Sequence, residues 1–189
     1  MADGSPAVFL DRDGTIVDDP GYLHEPDRVK LLPGAGEAIR RLNERGFVIV
    51  VVSNQSGIAR GYYSVDDYHA VQRRLAELLA AQGARIDGDY FCPHWPDVTG
   101  AGGGEPCDCR KPGLKLFREA QAAFGIDFAR SWWVGDRVSD VQPARALGGR
   151  GILVATGEGK GNLHQGQARA LGVTVVADLQ AAANEILRS

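Results

Sequence analysis

Asp11-Arg12-Asp13-Gly14-Thr15 sets two carboxylates at i and i+2 directly after a short apolar run. On extended backbone, residues two apart point to the same side. The pair therefore repels itself, and a hard divalent cation with oxygen ligands relieves that repulsion. Gly14 then permits a sharp turn. Two plainer uses of these residues stand beside that one. A single Asp-Gly commonly ends a strand in a turn. A calcium loop of the EF-hand type needs oxygen ligands at positions 1, 3 and 5, Gly at the sixth and Glu at the twelfth. Counted from Asp11, the sixth residue is Ile16 and the twelfth Tyr22, which excludes that loop.

Cys92-Pro93-His94 and Cys107-Asp108-Cys109 supply three thiols and one imidazole. An odd number of clustered cysteines is not a disulfide framework, and in a reducing compartment such a cluster more often holds metal. Three Cys and one His complete a tetrahedral zinc site with no open position, so this zinc would be structural. The spacings are tighter than those of a zinc finger, and free buried thiols beside a surface histidine are the alternative. A zinc deaminase requires H-x-E and P-C-x-x-C; His94-x-Pro96 and Pro106-Cys107-x-Cys109 lack both the Glu and the spacing.

These residues need a frame. Apolar runs predict strands over 7–10, 47–52, 89–91, 132–134, 152–155 and 173–177; the run FVIVVV at 47–52 is β-branched and apolar on both faces, as a central parallel strand requires. Helices are predicted over 36–45, 114–124, 141–147 (with Pro143 in its first turn) and 179–187. A further helix opens at the capping-box variant Ser64-x-x-Asp67 and carries the stripe Tyr68, Val71, Leu75, Leu78 and Leu79. Strands alternating with helices imply an α/β fold: a Rossmann-like, doubly wound parallel sheet. A single domain over 1–189 leaves room for only a minimal cap, with a zinc loop at about 92–109. Ligands of such sheets bind beyond the carboxyl ends of the strands. Asp11, Asp13, Ser53, Asn54 and Asp136 all fall there, and Arg110 and Lys111 precede a helix. Taken singly, Lys111 is a solvated surface cation and Asp140 an acid at a helix N-terminus. Gly157-x-Gly159-x-Gly161 has neither the P-loop nor the dinucleotide spacing and reads as a surface turn. The run GAGGG at 100–104 reads as a loop tip, and Trp132 and Trp133 as core residues on opposite sides of one strand. His24, His69 and His164 receive no role.

The composition is that of a globular chain, with 44% hydrophobic and 24% charged residues in 189 and a net charge of −3. It carries no basic footprint for nucleic acid and no apolar run of about 18 residues for a membrane span. The opening MADGSPAVFL has neither a basic nor a long apolar segment of a signal peptide. A cytoplasmic monomer without nucleic-acid or membrane partners is expected.

Together the motifs resemble those of the haloacid dehalogenase-like phosphohydrolases. FLDRDGT is similar to the first motif of that superfamily, Ser53-Asn54-Gln55 to the second, Lys111 to the third and Gly135-Asp136-x-x-x-Asp140 to the fourth, in the expected order over nearly the whole chain. The resemblance implies a phosphoric monoester hydrolase. Asp11 would be the nucleophile that forms an aspartyl-phosphate, and Asp13 the general acid and then base. Mg²⁺ would be held by Asp11, the backbone carbonyl of Asp13, and Asp136. Ser53 and Lys111 would hold the phosphoryl oxygens, and Asp140 would orient Lys111 or a metal-bound water. The cysteine loop followed by Arg110-Lys111-Pro112, with Asp19-x-Gly21-Tyr22 and SNQSGIARG (53–61), resembles one branch, the heptose-bisphosphate phosphatases. Histidinol-phosphate phosphatases share the motifs and a similar loop and are the alternative. This branch implies a small phosphorylated sugar as substrate. It also implies a pocket of Asp19, Gly21, Tyr22, Ser53, Asn54, Gln55, Ser56, Arg110, Lys111 and Arg137, and structural Zn²⁺ on Cys92, His94, Cys107 and Cys109. One departure stands out: between Pro96 and Cys109 the loop has no Lys or Arg, only the acids Asp97, Glu105 and Asp108, where cations for a second phosphate are expected. A zinc-stabilised binding module with an idle site is the non-enzyme alternative; it requires a lost catalytic residue or a basic or apolar docking face, and the sequence shows neither.

Overall fold

The computed structural model describes residues 4–95 and 107–189. Six parallel strands form one sheet: β1 (Ala7–Leu10), β2 (Val48–Asn54), β3 (Gly88–Cys92), β4 (Trp132–Gly135), β5 (Arg150–Val154) and β6 (Thr174–Val176), in the order β3-β2-β1-β4-β5-β6. The chain first winds outward from β1 to β3. It then returns to lay β4 against the free side of β1, with Val8, Phe9 and Leu10 beside Trp132, Trp133 and Val134. The switch in winding direction thus falls between β1 and β4, where doubly wound sheets open a crevice. The predicted α/β class holds, and each predicted strand lies within two residues of the observed one. The loop tip at 100–104 and the acids Asp97 and Glu105 lie outside the described residues.

Both faces of the sheet are covered because its central strands are apolar on both sides up to their carboxyl ends. Val8, Leu10, Ile49, Val51 and Val134 face one layer, with α1 (Ala35–Glu44), α3 (Val65–Ala80) and α7 (Leu179–Arg188). Ala7, Phe9, Val50, Val52 and Trp133 face the other, against α4 (Lys115–Phe124) and α5 (Val138–Leu147). The adjacent tryptophans do part to opposite sides: Trp133 stacks on Phe9 at 4.7 Å, while Trp132 joins the first layer beneath Arg150. Burying an aromatic side chain of this kind contributes roughly 2–3 kcal/mol.

Two short elements depart from expectation. Helix α5 starts at Val138, three residues before the predicted start, so Pro143 lies inside it rather than in its first turn. Its start is fixed by Asp140, whose Oδ2 accepts the backbone N–H of Arg137 at 2.9 Å and caps the helix. Helix α6 (Asn162–Ala170) was not expected; Ala168 is its only buried residue, so it shows no apolar stripe. A four-residue helix, α2 (Ser56–Ala59), follows β2 directly.

Candidate active site

Asp11 follows β1 and Asp136 follows β4, so the switch in winding places two carboxylates side by side. Lys111 reaches them from the loop before α4. Its Nζ donates to Asp11 Oδ1 at 2.6 Å, to the Val52 carbonyl at 2.5 Å, and lies 2.9 Å from Asp140 Oδ1. Its side chain is 2% exposed, so it is not the surface cation of the single-residue reading. Burial opposes its charge, but Asp11 and Asp140 more than compensate and push its pKa up. Burial pushes the Asp11 carboxyl well above the usual range, against the pull of Lys111. Asn54 holds the Lys111 backbone at both ends: its Oδ1 accepts from the Lys111 N–H at 2.9 Å, and its Nδ2 donates to the Lys111 carbonyl at 3.3 Å. Asp140 therefore orients Lys111 and caps α5 with its two oxygens at once.

Asp13 sits on the wall of the same cavity, held side-on by Arg12 at 2.9 and 2.8 Å and by Gln55 Nε2 at 2.8 Å. Arg12 is fully buried, with Tyr68 beneath its guanidinium at 5.1 Å. Gln55 is fixed from behind by the Tyr63 hydroxyl, 2.5 Å from its Oε1, and also donates to Ser53 Oγ. Ser53 is buried under this amide and is not among the residues that line the cavity.

The cavity is about 290 Å³, of a size for a small metabolite. Asp11, Asp13, Asn54, Gln55 and Lys111 line it, and so do Asp19, Gly21, Tyr22, Ser56, Arg110 and Arg137; of the pocket residues named from the sequence, Ser53 is the one that does not. Gly21 donates its N–H to Asp19 at 2.9 Å, and the turn forces Tyr22 to φ 53°, a left-handed conformation that few non-glycine residues adopt. Tyr22 meets Tyr62 edge to face at 4.7 Å. Arg137 donates to Glu158 at 3.2 Å.

Four lining residues were absent from the expected set: Leu23, Tyr63, Ser139 and Glu158. Glu158 belongs to the glycine-rich segment that reads as a surface turn. That segment is instead a 3-10 turn, Gly157–Lys160, packed against the catalytic edge. The Glu158 N–H bonds Asp136 Oδ2 at 2.7 Å, and a Cβ at Gly157 or Gly14 would stand 2.3 or 2.4 Å from that oxygen. Glycine at both positions lets backbone approach the carboxylate, a signal visible in the sequence only once the partner is known.

The donor sets fit two metals of different kinds. Ligand atoms of Asp11, Asp136 and Asp140 lie within 4.8 Å of one another. Asp136 Oδ1 is buried with no hydrogen-bond partner among the described residues. Burial, then the Asp140 charge, pushes the Asp136 carboxyl up to about 7. A buried, unpartnered oxygen among carboxylates suits a hard cation such as Mg²⁺. The expected metal set drew on the Asp13 backbone carbonyl, and the Asp13 side chain is taken up by Arg12 and Gln55; Asp140, outside that set, joins the carboxylate cluster but already commits one oxygen to Lys111 and the other to the helix cap.

Cys92, His94, Cys107 and Cys109 also cluster, with Cys92 Sγ 3.0 Å from Cys109 and 3.5 Å from Cys107, and His94 Nδ1 3.2 Å from Cys109. Burial pushes the Cys92 thiol up, and a bound cation would favour its thiolate. Three sulfurs and one nitrogen about one point match a closed zinc set.

Comparison with known proteins agrees with this geometry. Residues 108–182 match a family model described as HAD-hydrolase-like. The chain is 44% identical over 159 residues to a D-glycero-beta-D-manno-heptose-1,7-bisphosphate 7-phosphatase of Yersinia pestis, covering 84% of this chain and 85% of the relative. It is 42% identical over 180 residues to the protein so named in Photorhabdus laumondii, covering 95% of each. Among solved structures it is similar to the D,D-heptose 1,7-bisphosphate phosphatase of B. bronchiseptica complexed with magnesium and phosphate, with a TM-score of 0.84, 33% identity, and 97% and 98% of the two chains covered.

Proposed function

The chain belongs to the HAD-like hydrolase family of the heptose-bisphosphate 7-phosphatases, and on that premise we propose that it removes the C7 phosphate of D-glycero-D-manno-heptose 1,7-bisphosphate as a single-domain phosphohydrolase. The observation that carries this assignment is Asp11 with one oxygen 2.6 Å from buried Lys111, in a cavity that Arg110 and Arg137 also line. A cavity lined by three cations, Lys111, Arg110 and Arg137, suits a substrate with two phosphates.

Asp11 attacks phosphorus as the bond to the sugar C7 oxygen breaks, and Asp13 delivers a proton to that oxygen. Asp13 then takes a proton from water, whose oxygen attacks the aspartyl-phosphate, releases inorganic phosphate and restores Asp11. The transferring group is loosely bonded at the summit of each step, so placement and positive charge supply most of the rate. Lys111 gives that charge from a fixed position, set by Asp140 and Asn54. Arg12 and Gln55 hold Asp13 at the cavity wall. Asp11, Asp136 and the Asp13 backbone carbonyl would hold Mg²⁺, which offsets repulsion between nucleophile and phosphate; the cysteine cluster would hold structural Zn²⁺.

Phosphate release from heptose 1,7-bisphosphate and from histidinol phosphate, each with and without Mg²⁺, tests this. Turnover of the heptose in preference to histidinol phosphate, lost on removing Mg²⁺ and in Asp11→Asn, is expected. Turnover of neither, or a fully active Asp11→Asn, would overturn it. Phosphorus NMR on both anomers would then assign the preferred one.

A further inference from the structure

The second phosphate poses a problem that the sequence makes plain: the loop before Cys109 brings no cation. Arg110, directly after this loop, lines the cavity beside Lys111, which is already committed to Asp11 and Asp140, and a free arginine side chain loses rotamer entropy when it is fixed. Something must fix it beforehand. The Trp95 ring carries two guanidinium groups: Arg110 Cζ lies 4.6 Å from its centroid and Arg60 Cζ 4.3 Å. A cation–π contact steers the guanidinium without consuming an N–H donor. Arg110 spends one on the His94 carbonyl at 3.2 Å and makes no other side-chain hydrogen bond among the described residues.

Both ends of this arrangement are anchored. Trp95 directly follows His94, and Arg110 directly follows Cys109, two members of the sulfur-imidazole cluster. Arg60 closes α2, which the Ala59 N–H ties to the Pro93 carbonyl at 3.2 Å. Arg60 Nε is buried without a hydrogen-bond partner among the described residues, so the ring is a main neighbour holding that side chain.

We propose that Trp95 is a positioning residue: held between Arg60 and Arg110, it presets the Arg110 guanidinium at the cavity to receive the non-reacting phosphate of the substrate. Arg60 contributes by pinning the ring and by adding its own positive charge nearby. The inference rests on the bisphosphatase assignment above.

The test compares heptose 1,7-bisphosphate with heptose 7-phosphate, which lacks the second phosphate, in wild type, Trp95→Ala, Trp95→Phe and Arg110→Ala. Trp95→Ala should raise KM for the bisphosphate about three- to tenfold, the worth of a partly solvated cation–π contact, with kcat within about twofold. It should leave the monophosphate parameters unchanged, and Trp95→Phe should restore most of the loss. Calorimetric binding of the bisphosphate in an Asp11→Asn background should weaken by the same factor, with the zinc content of the Trp95→Ala protein unaltered. An unchanged KM, or equal losses on both substrates, would overturn the role of Trp95 while leaving the assigned reaction intact. A wild-type protein that turns over both substrates equally well would remove the bisphosphatase assignment and this inference with it.

Discussion

Replacing Lys111 by Met keeps the length of the side chain and removes its charge. Nζ now compensates two carboxylates, Asp11 at 2.6 Å and Asp140 at 2.9 Å, and bonds the Val52 carbonyl. Its loss leaves two buried acids with no cation between them. Breaking a buried ion pair on one side costs about 3–5 kcal/mol. For a chain of this length that is a fall in Tm of about 6–20 °C, at ~2–4 °C per kcal/mol. The pH dependence has a definite sign. Burial already raises the Asp11 pKa, and Lys111 is its main opposing influence. Without it the folded state holds protons that the unfolded chain, with acids near 3.8, has released. Stability of Lys111→Met therefore falls as pH rises above about 4, more steeply than in wild type. Lys111→Met with Asp140→Asn removes one of the two stranded charges and should recover a good part of the Tm without any activity. Thermal unfolding of wild type and both variants at pH 5 and pH 8, with phosphate-release assays, checks this. A single variant within 1 °C of wild type at pH 8, or a double variant no more stable than the single, would refute the electrostatic reasoning.

Asp136, with its carboxyl near 7 in the metal-free protein, destabilises the fold as pH rises through that value. Added Mg²⁺ should raise Tm more at pH 8 than at pH 5.5, and Asp136→Asn should abolish that difference; differential scanning fluorimetry reads both. Cys107→Ser removes one of four clustered ligands and should lower bound zinc from about one per chain to well below one, by elemental analysis, with a fall in Tm. Gly14→Ala forces a Cβ to within 2.4 Å of Asp136 at φ 82°; it should cost more than about 2 kcal/mol in urea unfolding and nearly all phosphatase activity. Tyr63→Phe deletes the donor to Gln55; a loss of about 0.5–1.5 kcal/mol is expected, with a lowered kcat as Asp13 loses a fixed neighbour.

What the sequence shows of this protein follows from which signals are local. β1, β2 and β4 declare themselves because they are apolar on both faces, and Asp11, Ser53 and Asp136 follow from where those runs stop. Helix α6 stays hidden because it buries one alanine and leaves Leu163 exposed. The start of α5 is misplaced because Arg137 occupies the cap position while the capping carboxylate sits three residues on. Tyr63 and Glu158 are harder still. Each acts through a partner distant in sequence, Gln55 and Asp136, and no local spacing marks them. Arg12 hides differently: nothing in its spacing says that this charged residue is fully buried over Tyr68 and clamps Asp13.

The position of β1 between β2 and β4 has a consequence for synthesis. The ribosome makes β1, β2 and β3 first, but the lysine that neutralises Asp11 is 100 residues farther on, and β4 later still. From the end of β3 at residue 92 to the start of β4 at 132 is a stretch of 40 residues, about 2–8 s at ~5–20 residues per second. In that time a nascent half-sheet of β1 to β3 would present an unpaired, wholly apolar edge along β1, the kind of edge that recruits other chains. Trapping of translation intermediates halted between residues 95 and 130 should find chaperones concentrated there.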